Sequence, residues 1–501
     1  MQKPAIAIAS IAALIGTPAV AADLAVKALP PPAASWTGCY VDAGVGYGMW
    51  NQTHNSETFP ALIAVTPGIT TGGEGWLGRF GGGCDYQFAI PKLGNFVVGA
   101  FGDYDFANLN GIYQEPINGL IGSEQETGAW VVGGRIGYLV SPTLLTYVDG
   151  GFTQARFSPI SLFGPAVPPV PTPFSLGANT YSGWFLGSGI EYALNMAWLP
   201  IHGLFLRTEY RYARYGSADL PVMPPVGAAE NMRTNVQTVT TSLVWRFNWN
   251  DPLNTVGASS QTFAADLPLK APRLPPAVTW TGCYIGAGVG YGMWTQNHFS
   301  QTDPGFVQIL SSTIDSGEGW LGRTGGGCDY QFALPKLGNF VVGVLGDYDF
   351  TSLSGTFQEN LNGLLGTERE SGAWAVGARV GYLIDPDLLT YVDGGYTQAR
   401  FQPIGLSFDV VPPRGTIFSA AANTYQGWFV GGGAEYALTM DWVRIRGLFW
   451  RTEYRYAGYI PADVPFLPLP LTRTAEKMRN DAQTATTSLI RRFNWPGGPG
   501  R

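Results

Sequence analysis

The chain has 501 residues, of which 13% are charged and 13% aromatic; 68 are glycine, and the formal net charge is −7 at pH 7. Soluble domains typically carry about 25% charged residues, so the composition argues against an ordinary cytosolic enzyme, and the acidic balance leaves no basic footprint for nucleic acid. No apolar run beyond the first 22 residues is long enough for a helical membrane span; few charges, many aromatics and many glycines then fit a membrane protein built from strands.

The chain opens MQKPAIAIASIAALIGTPAVAADL. Lys3 supplies the charged start, Ala5 to Gly16 the apolar stretch and Ala19-Val20-Ala21 the small-residue cleavage site. Residues 1–21 therefore read as a signal peptide, and the chain as exported. Residues 22–35 form a Pro-rich lead-in.

Two copies of one unit follow, at 36–249 and 280–495. WTGCYVDAGVGYGMW from Trp36 and WTGCYIGAGVGYGMW from Trp280 differ at two positions. The offset of 244 residues holds to Tyr215/Tyr459 and becomes 246 by Met232/Met478. The Pro-rich linker, 250–279, contains AADLPLKAPRLPP, a near-repeat of the lead-in AADLAVKALPPP; 496–501 is a short tail. A repeat that carries its own lead-in reads as a fusion of two complete units.

Within copy one, period-two alternation predicts eight strands. Cys39–Trp50 sets Val41, Val45 and Tyr47 opposite Asp42. Trp76–Ile90 sets Trp76, Phe80 and Tyr86 opposite Arg79 and Asp85. Phe96–Phe106 sets Val98, Tyr104 and Phe106 opposite Asp103 and Asp105. Trp130–Leu139 sets Val132 and Ile136 opposite Arg135. Leu144–Phe157 carries Asp149 opposite Val148 and Phe152, and Tyr181–Leu194 carries Glu191 opposite Trp184 and Leu186. Leu204–Tyr215 carries Arg207, Glu209 and Arg211 opposite Leu206, Tyr210 and Tyr212. Val236–Trp249 carries Arg246 opposite Leu243, Trp245 and Phe247.

Short connections near 91–95, 141–143 and 195–203 alternate with long ones near 51–73, 107–127, 158–180 and 216–235. That is the rhythm of periplasmic turns and external loops. The expected fold is all-β: two tandem eight-stranded transmembrane antiparallel barrels. The alternative is one 16-stranded barrel, a size that leaves an aqueous channel.

An eight-stranded barrel is just wide enough for side chains to fill it. The charges on the inward faces are therefore expected to pair as a packed interior network, with neighbouring glycines making room for the arginines. Its members are Arg79, Asp85, Asp103, Arg135, Asp149, Glu191, Arg207 and Glu209, with Arg323, Asp329, Asp347, Arg379, Asp393, Glu435, Arg451 and Glu453 in copy two. Four cysteines form two pairs 45 residues apart, Cys39 with Cys84 and Cys283 with Cys328. In an oxidising compartment each pair is a disulfide candidate, and neighbouring strands would bring its members within reach.

Three patterns suggest other chemistry and are set aside. GGEGWLG (Gly73, Gly75, Gly78) fits a dinucleotide fingerprint, but a strand follows it where a helix is needed. Asp103/Asp105 and Asp347/Asp349 read as members of ion pairs. His54 and His298 read as solvated loop residues. No catalytic, cofactor or metal set recurs in both copies, so no enzyme and no cofactor is expected. The Pro-rich, apolar stretches FGPAVPPVPTPFSLG, PVMPPVG and PADVPFLPLPL read as external loops, either self-packed or a contact surface.

The lead-in, WTGCYVDAGVGYG, GGGCDYQFA, RTEYRYARYG and the ending RFNW together resemble the outer-membrane β-barrel proteins of alphaproteobacteria, similar to opacity-type surface antigens in the broad OmpA/OmpX-like group. The likeness covers both copies. It implies location in the bacterial outer membrane, contact with its lipid and lipopolysaccharide, and insertion by the barrel assembly machinery. It also implies a structural or surface-interaction role, in some members through host or extracellular ligands; the 16-stranded alternative implies a porin for small solutes. Here Phe493 and Trp495 are followed by PGGPGR, a departure from the family's aromatic terminus.

Overall fold

The computed structural model describes residues 36–91, 93–194, 203–247, 279–335, 337–359, 361, 363–408, 415–438, 447–468 and 474–493. The signal peptide, the lead-in, nearly all of the linker and the tail lie outside these residues. Among them there is no helix.

Copy one contains β1 (Gly38–Thr58), β2 (Ile69–Ile90), β3 (Gly94–Gln114), β4 (Ile121–Ser141), β5 (Leu144–Phe157), β6 (Ile160–Gly164), β7 (Val170–Leu176), β8 (Asn179–Ala193), β9 (Leu204–Tyr215), β10 (Ala218–Pro221) and β11 (Ala228–Phe247). Copy two contains β12 (Gly282–Thr302), β13 (Thr313–Leu334), β14 (Gly338–Thr351), β15 (Leu353–Glu359), β16 (Leu364–Asp385), β17 (Leu388–Phe401), β18 (Ile404–Phe408), β19 (Phe418–Ala420), β20 (Asn423–Ala437), β21 (Leu448–Tyr459), β22 (Ala462–Leu467) and β23 (Thr474–Phe493).

Every pairing is antiparallel. In copy one the ladder runs β1–β2–β3–β4–β5–β8–β9–β11 and returns to β1. In copy two it runs β12–β13–β14/β15–β16–β17–β20–β21–β23 and returns to β12. Each ladder closes within its own copy, so no open edge is left along the main strands, as a sheet in hydrocarbon requires. Among the described residues the copies share two backbone bridges, Thr71 with Asp315 and Ala166 with Leu310.

The outward residues explain the alternation. Val45, Trp76, Phe80, Phe106, Val132, Ile136, Leu186 and Leu243 stand exposed in a belt around copy one, an apolar surface suited to lipid. Two hairpin turns are marked by the Leu93 amide donating to the Ile90 carbonyl at 3.0 Å and the Leu337 amide donating to the Leu334 carbonyl at 3.1 Å. Gly94 and Gly338 follow them at φ of 107° and 101°, where an L side chain would be strained.

The strands are longer than the alternation suggested. β1 and β2 extend to Thr58 and back from Ile69, so most of the long connection expected at 51–73 is strand. Much of the segment expected as a loop at 107–127 belongs to β3 and β4. FGPAVPPVPTPFSLG contributes to the hairpin β6–β7, whose Leu176 is buried beside Ile160 and Leu162. The cause is the loss of contrast beyond the belt. There both faces meet polar surroundings, and Asn51, Gln52, His54 and Ser56 are buried although polar.

Candidate functional site

The centre of each barrel is a lattice of buried arginines and carboxylates. Its geometry starts from strand register. Arg79 faces Asp105 across β2–β3, Arg135 faces Asp149 across β4–β5, and Glu191 faces Arg207 across β8–β9. Opposite charges thus sit side by side on neighbouring strands.

Two clusters form in copy one. In the first, Arg79 donates Nε and Nη2 to the two Asp105 oxygens at 2.7 and 2.8 Å, and Nη1 to Glu209 Oε1 at 2.7 Å. Arg211 grips Asp103 through two bonds of 2.9 Å and also reaches Glu209 at 2.7 Å. Asp149 is buried beside this cluster, close to Glu209. In the second, Glu191 accepts from Arg135 at 3.1 Å, Arg207 at 2.9 Å and Arg246 at 2.6 Å. Asp85 accepts from Arg135 Nε at 2.9 Å and Arg246 Nη1 at 2.7 Å, and Asp42 accepts from Arg207.

Copy two repeats the plan. Arg323 bonds Asp349 at 2.7 Å and Glu453 at 2.6 Å, and Arg455 holds Asp347 at 2.8 Å. Glu435 joins Arg379, Arg451 and Arg492, while Asp329 accepts from Arg379 and Arg492. Asp393 lies 3.6 Å from Arg455. Copy two has Gly286 where the copy-one cluster has Asp42, so the two sets share a plan but not every member.

The room that glycine creates is taken by carboxylates rather than by arginines. A Cβ on Gly99 would lie 2.0 Å from Asp85 Oδ1, and one on Gly187 2.2 Å from Asp149 Oδ1. Gly343 and Gly431 do the same for Asp329 and Asp393.

The sequence reading missed the aromatic floor. The guanidinium groups of Arg135, Arg207 and Arg246 lie 4.8, 4.6 and 5.0 Å from the Tyr40 ring, close enough for cation–π attraction. Tyr147 and Tyr391 donate to Glu209 and Glu453 at 2.8 and 2.7 Å. The available signal was parity: Tyr40 shares its face with Asp42. Below the lattice, Trp36, Tyr40, Val97, Leu145 and Phe205 pack together. Above it, Trp50, Leu109, Tyr113, Phe157 and Phe185 do so.

His54 and His298 require correction. Both lie within strands and are fully buried, not solvated in loops. They face the interior on the loop side of the belt, where buried carboxylates draw them in. His298 Nε2 is 3.0 Å from Asp315 and its Nδ1 3.1 Å from Glu476. Burial alone would lower this imidazole, but the two carboxylates raise it to about 10. His54 meets Glu230 at 3.4 Å, and Thr71 stands where copy two has Asp315.

The glycines of GGEGWLG all lie inside β2, and no helix follows. Cys39 faces Cys84, and Cys283 faces Cys328, across the first hairpin of each copy, and both pairs are disulfides.

Residues 9–247 and 255–489 match a family described as an outer membrane protein beta-barrel domain. The chain is 27% identical over 252 residues to the 31 kDa outer-membrane immunogenic protein of Brucella melitensis, a match that covers 48% of this chain and 98% of that protein. The protein of the same description from Brucella suis gives the same values. Among solved structures, a Pseudomonas aeruginosa FadL homologue aligns over 91% of both chains at 9% identity and a TM-score of 0.26. Neisserial surface protein A aligns with 42% of this chain and 98% of its own, at 14% identity and a TM-score of 0.20.

Proposed function

We propose, from the premise that this chain belongs to the outer membrane protein beta-barrel domain family and lies in the bacterial outer membrane, that it is a non-enzymatic envelope protein whose two barrels anchor a surface for outside contacts. The observation that carries this reading is the filled interior. Each barrel stacks an apolar layer, an arginine–carboxylate lattice and a second apolar layer along its axis. Such a stack favours a plug over a solute channel.

Function then falls to the outside. Phe59, Leu62, Ile63 and Val65 are exposed at the tip between β1 and β2, and Phe306 and Val307 at the tip between β12 and β13. Exposed apolar clusters beyond a lipid belt suit contact with host or extracellular surfaces. Lipopolysaccharide and outer-membrane lipid are the partners of the belt, and the assembly machinery is the partner during insertion.

The test uses the full chain. Reconstituted in planar bilayers it should give no stepwise conductance. Cells carrying Ile63→Ser, Val65→Ser, Phe306→Ser and Val307→Ser together should lose adhesion to host matrix while the barrel content of the membrane is unchanged. Steady ion conductance with unchanged adhesion would replace this reading with a channel.

A further inference from the structure

Four side-chain contacts between the two copies form two reciprocal pairs. Tyr47 meets Tyr456 with ring centroids 6.0 Å apart, and Tyr212 meets Tyr291 at 5.5 Å. Under the 244-residue offset, each contact is the image of the other. At the opposite end of the barrels, the Tyr192 hydroxyl donates to the Ile384 carbonyl at 3.3 Å and the Tyr436 hydroxyl to the Val140 carbonyl at 3.2 Å, again as images. Thr71 and Asp315, themselves equivalent positions, form one backbone bridge between copies; a second, Ala166 with Leu310, joins non-equivalent positions, and beside it Ser311 donates to the Pro165 and Ala166 carbonyls at 2.8 and 2.7 Å. The reciprocal pairs and the Thr71–Asp315 bridge form the pattern of an isologous two-fold interface, with Thr71 and Asp315 on the axis.

A perfectly self-complementary face would also pair identical copies from different chains. Three further places break that symmetry. Gly72 opposes its own equivalent, Ser316, whose hydroxyl donates to the Thr71 carbonyl at 2.7 Å. A Cβ on Gly72 would lie 2.7 Å from the Ser316 Cβ, so two second-copy faces would collide there. Next to them, the Thr70 and Thr356 hydroxyls are 2.8 Å apart, and the Thr356 amide donates to Thr70 Oγ1 at 2.8 Å. The equivalent positions across the axis are Ile314 and Ile112. Like therefore opposes like only when copy one faces copy two; either copy against itself would set Thr against Ile twice. Lastly, Asn235 Nδ2 donates to Glu318 Oε1 at 2.7 Å. Its counterpart is Asp481 beside Glu74, with Arg479 3.6 Å from Asp481. Two second-copy faces would repeat the carboxylate pair on both sides.

We propose that the two barrels of one chain are each other's partner, paired side by side through this face, and that the copies have diverged to prefer that pairing over self-pairing. The proposal rests on the reading that each copy closes its own barrel. Lipid is as apolar as the barrel walls, so close packing and polar contacts must supply the specificity; Gly72, Ser316, the threonine pair and Asn235 supply both. The linker adds an effective concentration on the order of millimolar.

The experiment places a specific protease site within 250–278 of the full chain and combines it with Asn235→Cys and Glu318→Cys, whose native side chains meet across the face. After oxidation in intact outer membranes and cleavage, the halves should migrate as one band that a reductant splits; the native disulfides lie within the halves and do not interfere. On the cysteine background, Thr70→Ile should lower the joined fraction several-fold, and adding Thr356→Ile should restore it. Heat-dependent gel migration reports barrel closure separately. Closed barrels without the joined band, joined bands between separate chains, or no rescue by Thr356→Ile would overturn the pairing. Loss of heat-dependent migration in the unsubstituted chain would overturn it too, and would identify the closed-barrel reading as the one that failed.

Discussion

Arg246 and Glu191 are joined by two hydrogen bonds onto one carboxylate oxygen, from Nε at 2.9 Å and Nη2 at 2.6 Å. Arg135 and Arg207 hold the other oxygen. Removing this acid leaves three buried cations without their shared partner. Breaking a buried ion pair from one side costs about 3–5 kcal/mol. Glu191→Ala should therefore lower the urea midpoint of the refolded full chain far more than substitution of a surface acid such as Asp219. Equal effects would show that the lattice does not hold the barrel together.

The same strand position differs between copies in a compensated way. Asp42 faces Val244 across β1–β11, whereas Gly286 faces Ile490 across β12–β23. A Cβ on Gly286 would lie 2.2 Å from Ile490 Cδ1. The larger isoleucine occupies what the missing carboxylate vacates, and Arg451 keeps Glu435 as its hydrogen-bonded acid among the described residues. Gly286→Asp should destabilise by about 1–3 kcal/mol through overpacking. Adding Ile490→Val should recover most of that loss in the same unfolding measurement, because the double variant recreates copy one.

What the sequence made legible follows from this contrast between faces. Where the outside is lipid and the inside holds charge, as at Phe80 beside Arg79, alternation marks both the strand and the orientation of each side chain. Beyond the belt the contrast disappears: His54 is polar and yet buried, so a strand residue looked like a loop residue. The pairing face was hidden for another reason. Tyr47 and Tyr212 are aromatic on the outward side, as lipid-facing residues are, and only their reciprocal contacts with Tyr456 and Tyr291 distinguish them.

Glu124 and Glu368 are buried on the loop side of the belt, where they accept from Gln52 at 2.9 Å and Gln296 at 2.8 Å. Burial raises them to about 7 and about 8. A raised carboxyl means that the folded chain holds protons which the unfolded chain has released. Wild-type stability should fall as pH climbs from about 4.5 through these values. Glu124→Gln with Glu368→Gln preserves the acceptor oxygens and removes the titration. The double variant should match wild type near pH 4 and exceed it above pH 8, by on the order of 1–3 kcal/mol. Thermal unfolding across that range decides it; parallel curves would contradict the protonated state.

His298 tests the electrostatics with the opposite sign. Its imidazole, held at about 10 against the pull of burial, is charged between Asp315 and Glu476. A cation with a raised folded value contributes stability that is fully present below about 6.5 and is lost as pH rises through about 10. The chain has three histidines, so imidazole NMR signals of the refolded protein are few enough to assign. The His298 signal should stay in its charged position past pH 8. Asp315→Thr installs the residue that copy one carries at Thr71 and should move the titration of His298 downward by at least a unit, since one full carboxylate contact is removed. If the signal titrates near its ordinary value in wild type, the buried trio is not charged, and the difference between the two copies at this position has no electrostatic consequence.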